Sequence, residues 1–121
     1  MKILDSNILI YAAQPHFTFL LPLVTDSANA VSIVTKIETL GFPRLLPGDR
    51  LYLESTFTVL QVLDLSPEIA EKAIEIRQAK KISLGDAIVA AIALVHDCPL
   101  VTRNVADFRH IPDLKLENPI P

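Results

Sequence analysis

Apolar and polar positions change over in short blocks along this chain, and the period of each block predicts its element. The run through Ile3 and Leu4 stops at Asp5-Ser6-Asn7. Ile8, Leu9, Tyr11 and Ala12 follow, which reads as strand, turn, helix. Phe17 to Thr25 is a second helical candidate. Val31 to Val34 is β-branched and meets Thr35-Lys36-Ile37-Glu38, so a strand feeds another helix, which Gly41 to Arg44 closes. Gly48 to Phe57 suits a helix loosely and Thr58 to Leu65 is strand-like. Ser66-Pro67-Glu68 opens the clearest helix, with Ser at the N-cap, Pro at the first helical position, and Ile69, Ala70, Ala73, Ile74 and Ile76 behind it. From Leu84 to Val95 the pattern is apolar all round, as in a helix buried on most sides. Pro99 to Thr102 gives a short strand, Asn104 to Phe108 a helical turn, and Leu114 to Leu116 a last edge strand.

Strands alternating with helices imply parallel pairing, so the expected fold is α/β, a three-layer α/β/α sandwich around a mostly parallel sheet. With 121 residues and no repeat or linker, residues 1–121 read as a single domain. Half of the residues are apolar and 21% are charged, which excludes intrinsic disorder. The longest apolar run, Ala87 to Val95, falls far short of the roughly 20 residues of a membrane-spanning helix. Asp5 and Asn7 interrupt the apolar start, unlike a secretory leader, and the single Cys98 can form no internal disulfide. Both point to the cytoplasm. A net charge of −3 excludes coating of nucleic acid by bulk charge, though not a nucleic-acid enzyme that recruits metal ions.

Four polar positions stand where strands give way to helices: Asp5, Glu38, Asp86 and Asn104, separated by 33, 48 and 18 residues. In an open parallel sheet ligands bind beyond the carboxyl ends of the strands, so all four can gather at one edge. Taken singly, each has a simpler use at a helix N-terminus, and Thr35-x-x-Glu38 and Ser83-x-x-Asp86 both fit the capping box. Taken together they change the electrostatics. Two carboxylates about 4 Å apart repel by roughly 4 kcal/mol at an effective dielectric of 20, so three must take up protons or hold a cation. An all-oxygen donor set selects Mg²⁺ or Mn²⁺, and such a site hydrolyses phosphodiesters.

These residues resemble the PIN-domain ribonucleases, and within them the VapC-like toxins of type II toxin-antitoxin pairs. The resemblance rests on Leu4 to Tyr11 (LDSNILIY), Lys36-Ile37-Glu38, Ser83 to Ala91 (SLGDAIVAA) and Leu100-Val101-Thr102-Arg103-Asn104-x-x-Asp107-Phe108, in that order. It implies that Asp5, Glu38 and Asp86 bind Mg²⁺ or Mn²⁺ and that Asn7 orients Asp5. The family's fourth acidic position falls on Asn104, which can offer a carbonyl oxygen but no charge. Asp107 lies about one helical turn further on, as a partial substitute or as support for its own turn. Thr102 is placed to hydrogen-bond a carboxylate or a metal-bound water. Family membership further implies a metal-dependent endoribonuclease, a homodimer and a co-encoded antitoxin.

Of the basic residues that could meet RNA, Lys36 and Arg103 flank the proposed site and are the better candidates for phosphate contacts. Arg44, Arg50, Lys80, Lys81 and Arg109 read as ordinary surface. His16, His96 and His110 have no ligand spacing and are assigned no catalysis. The Phe- and Leu-rich segment from His16 to Leu23, with Tyr52, Leu53 and Phe57, packs a core or lines a groove for an antitoxin helix. The alternative to a nuclease is a degenerate PIN-fold module that binds RNA or a protein without cutting, motivated by Asn104.

Overall fold

The computed structural model describes residues 1–121. Five parallel strands form one sheet in the order β3-β2-β1-β4-β5: β1 (Ile3–Leu4), β2 (Ala30–Ser32), β3 (Gln61–Leu63), β4 (Leu100–Val101) and β5 (Leu116–Glu117). Helices make the connections. The first is α1 (Ser6–Ala12), a 3₁₀ segment (Pro15–Leu20) and α2 (Leu21–Val24). Then come α3 (Ile33–Leu40) and α4 (Pro47–Val59), α5 (Pro67–Ala79) and α6 (Leu84–Val95), and finally α7 (Val105–Phe108).

Strand alternation divides the core in two. Ile3, Ala30 and Leu100 face α5 and α6, and their neighbours Leu4, Val31 and Val101 face α1, α2 and α4. All six strand residues are buried, as expected of a parallel sheet covered on both faces. These are the outer layers of the expected sandwich. The chain steps outward from β1 to β2 to β3, then returns past both to lay β4 on the other side of β1. The strand order therefore reverses between β1 and β4. That crevice is the topological switch point, where the open ends of parallel strands admit a ligand.

Several boundaries depart from the sequence expectation. Phe17 to Thr25 is not one helix: the chain kinks at Phe17, runs as 3₁₀ to Leu20, and restarts as α2 with Pro22 in its first turn. Val34 lies in α3, because the Ser32 hydroxyl accepts from the Val34 amide (3.0 Å) and starts the helix at Ile33. Thr35-x-x-Glu38 is consequently no capping box, and the buried Thr35 Oγ1 has no partner. Thr58 and Val59 end α4 instead of opening a strand. Hydroxyls back-bond along that helix, Thr56 to the Tyr52 carbonyl (2.9 Å) and Thr58 to the Ser55 carbonyl (2.6 Å). β5 starts at Leu116, after a turn in which Asp113 takes a left-handed conformation (φ 66°). The α5 and α6 boundaries match the expectation, although Leu84 itself is exposed.

Candidate active site

The switch point is held by polar side chains from both of its strands. Asp5 follows β1 as the N-cap of α1, and Thr102 follows β4. Asp5 is only 5% exposed, and each of its carboxylate oxygens has a partner. Oδ1 accepts from the Ser6 amide (2.9 Å). Oδ2 accepts from the Thr102 hydroxyl (2.8 Å) and the Asn7 side-chain amide (3.3 Å). Thr102, fully buried, donates once and accepts twice, from Asn7 Nδ2 (3.3 Å) and the Asn104 amide (3.0 Å). Asn7 Oδ1 accepts from the Arg103 amide (3.2 Å), which closes the network.

Asp86 enters from the opposite layer, in the first turn of α6. Its amide donates to the Ser83 hydroxyl (3.2 Å), so Ser83 caps this helix and the Asp86 carboxylate is not used as the cap. Glu38 approaches the same turn from α3. A Cβ built on Gly85 would lie 3.0 Å from both Glu38 oxygens, so the bare backbone of Gly85 makes the space that the Glu38 carboxylate occupies.

The electrostatics tie these groups together. Burial raises the Asp5 pKa above its ordinary 3.8. Hydrogen bonds from Thr102, Ser6 and Asn7 oppose this, and the charge of Asp107 adds to it. Burial also raises Asp86, first reinforced by Asp5 and then by Asp107 and Glu38, with the Ser83 hydroxyl acting against the shift. Four carboxylates thus share one field. No three acidic, imidazole or thiol side chains stand close enough to enclose a single ion as they are arranged. The donor set nevertheless suits a hard cation: all oxygen, two members half-buried or deeper and mutually repelling, and a third seated in a cradle that any side chain at position 85 would fill.

Asn104 is exposed, and its side chain makes no capping bond. Between it and Asp107, the charge felt at both Asp5 and Asp86 is that of Asp107. Arg103 is exposed, with its guanidinium 4.6 Å from the centre of the Tyr11 ring, and Lys36 is half-buried on α3. Of the doubtful apolar set, Leu53 and Phe57 are core, and Tyr52 is half-buried with its hydroxyl donating to the Leu9 carbonyl (2.7 Å). Phe19 and Leu21 are exposed. Two features escaped sequence reading. Gly85 carried no signal without a neighbour to measure against. A cavity of about 640 Å³ beside Asp86 and Asp107 is lined by Arg77, Lys80, Lys81 and His110, and only the Lys80-Lys81 pair hinted at it.

A model of the PIN domain family matches residues 2–114. This chain belongs to the PIN-domain family. It is 27% identical over 127 aligned positions to Ribonuclease VapC2 of Rickettsia felis, with 95% of each chain covered. Among solved structures it superposes on a chain of a toxin-antitoxin complex from Klebsiella pneumoniae with a TM-score of 0.79, at 28% identity, covering 99% of this chain and 98% of that one. It matches a chain of VapBC2 from Rickettsia felis, bound there to a DNA fragment from its promoter, with a TM-score of 0.79, at 25% identity and 97% coverage of both. The PIN-like α/β fold expected from the sequence is the fold observed, and no helix is long and apolar enough to cross a membrane.

Proposed function

We infer that this PIN-domain chain is a metal-dependent endoribonuclease and the toxin of a type II toxin-antitoxin pair. The observation that carries the reading is the union of Asp5 and Thr102 across the switch point, with Asp86 in the same field. Support comes from its likeness along nearly its whole length to a ribonuclease and to toxin-antitoxin structures.

Asp5, Glu38 and Asp86 would hold Mg²⁺ or Mn²⁺, with Asp107 in the position closest to a fourth acid. When bound, the ion supplies an acidified water and neutralises charge on the phosphoryl oxygens. The rest falls to the chain itself. Three donors fix the Asp5 carboxylate before any ligand arrives, so little reorganisation is needed at that side of the site. Asn7 keeps Asp5 and Thr102 in register while its own oxygen anchors the chain at Arg103. Asp86 and Glu38, less constrained, close the other side. Arg103 and Lys36 offer contacts to the RNA backbone, Arg103 by leaving the Tyr11 ring.

The partners proposed are an RNA substrate, an antitoxin and a second copy of this chain. Exposed Phe19 and Leu21 near α2, and Ile37, Phe42, Leu46 and Leu51 along α3 and α4, supply apolar surface for the two proteins. The open carboxylate arrangement and the uncharged Asn104 favour one competing reading, a PIN-fold module that binds without cutting. Incubation of the purified, antitoxin-free protein with a pool of cellular RNAs decides between them. Cuts that need Mg²⁺ or Mn²⁺, stop with chelator and are missing with Asp86→Asn establish the nuclease. Binding without cuts from the folded wild type establishes the module.

A further inference from the structure

The 640 Å³ cavity lies between the end of α5, the start of α6 and α7. One wall carries Arg77, Lys80 and Lys81. The other carries Asp86 and Asp107, both coupled to the acidic centre. In a chain of net charge −3, three of eleven cationic side chains share this one wall. The four ion pairs of the molecule use Lys2, Arg50, Lys72 and Lys115, so none of the three is paired, although two carboxylates line the same cavity.

The C-terminal end of α5 favours a cation in its last turn, which accounts for Arg77. It does not account for Lys80 and Lys81. Lys80 is extended (φ −162°, ψ 151°), and both lysines lie beyond the helix, exposed, in the connection that leads to Ser83 and Asp86. The volume lies within the roughly 300–1,000 Å³ of sites for small organic ligands, far more than one ion needs. A strand of RNA joins the two walls chemically: it carries regularly spaced phosphates, so one phosphate at the acidic centre brings another to the cations. We propose that Arg77, Lys80 and Lys81 form a subsite for a phosphate flanking the scissile one, which sets how the RNA strand enters past Asp86. This rests on the nuclease reading for the role of Asp86, and its test is independent of cleavage.

The probe is a fluorescein-labelled, 20-nucleotide single-stranded RNA of mixed sequence, in chelator, with binding followed by anisotropy as salt is varied. For single strands the slope of log K against log salt is about −0.7 per phosphate neutralised. Because the three cations hold one phosphate, Lys80→Gln with Lys81→Gln should make the slope shallower by part of about 0.7, and adding Arg77→Gln should bring the loss to about 0.7. Arg44→Gln, whose side chain does not line the cavity, is expected to leave it unchanged. Lys80→Arg with Lys81→Arg should restore it, and because all three residues are exposed the melting temperature should hold. An unchanged slope in the triple variant, an equal change in Arg44→Gln, or no RNA binding by the wild type overturns the proposal. So does loss of poly-glutamate binding with RNA affinity intact, which would assign the wall to an acidic protein segment. Failure to cut while the slope changes as expected overturns the nuclease reading and leaves the phosphate subsite standing.

Discussion

Two helix starts meet at this site and treat their acids in opposite ways. At α1 the acid is itself the cap: Asp5 is buried and bonded at both oxygens. At α6 a serine is the cap and the acid stands two residues inside the helix, half-buried, its carboxylate free of capping. The first arrangement fixes a carboxylate before a ligand arrives. The second leaves a carboxylate whose hydrogen-bond partner is the Ser83 hydroxyl. A site that must hold a cation and also admit a polyanion uses both.

The comparison breaks most visibly if both acids are neutralised. Asp5→Asn and Asp86→Asn are each expected to reduce RNA cleavage by on the order of 10³-fold, as loss of several kcal/mol of charge stabilisation implies. Single-turnover assays with Mn²⁺ measure this, and full activity in either variant removes that acid from the centre. Next in size is the support of Asp5. Thr102→Val deletes the donor to Asp5 Oδ2 and leaves the Asn104 amide without its acceptor, which should slow cleavage by about tenfold or more, at roughly 1.5–3 kcal/mol for a hydrogen bond to a charged group. Thr102→Ser keeps the hydroxyl and should keep most of the rate.

Stability separates the two acids more finely. Both fold with pKa values above 3.8, so each favours the folded state most below that pH. That contribution is lost as pH rises through the folded value, because the unfolded chain gives up its proton first. At neutral pH Asp86→Asn should therefore raise the melting temperature by roughly a few degrees, and the gain should vanish below about pH 3.8. Asp5→Asn should show no such gain, because an amide cannot accept from Ser6, Thr102 and Asn7 together. Calorimetry across pH 3 to 8 checks both signs. Mn²⁺ should raise the wild-type melting temperature at pH 7 and leave Asp86→Asn nearly unmoved. The smallest effect is Gly85→Ala, which must shift the Glu38 carboxylate by a few tenths of an ångström and should weaken Mn²⁺ binding by about twofold to fivefold.

The elements that were legible carry their own punctuation. Ser66-Pro67 announces α5, and the unbroken apolar block after Ser83 announces α6. At two of the shifted boundaries a side-chain hydroxyl takes part. Ser32 captured an amide and pulled Val34 into α3, and in α4 the Thr56 and Thr58 hydroxyls turn back onto helix carbonyls, so these β-branched residues sit in a helix although they suit a strand. Propensity does not register such bonds. Asp5 and Asp86 were visible because each follows a clear strand or cap. Thr102 and Asp107 were placed at the site by the family motif, but which carboxylate Thr102 holds, and the cradle at Gly85, depend on contacts between distant elements that spacing along one chain does not encode.

The bond from Thr102 to Asp5 spans 97 residues of chain. Asp5 leaves the ribosome 97 residues ahead of Thr102, a delay of roughly 5–20 s at about 5–20 residues per second. During that interval β1 lacks the neighbour that defines the crevice, so the acidic centre does not exist on a nascent chain stopped short of β4. Strand order thus acts as a clock: the centre can assemble only after every helix from α1 to α6 has been made.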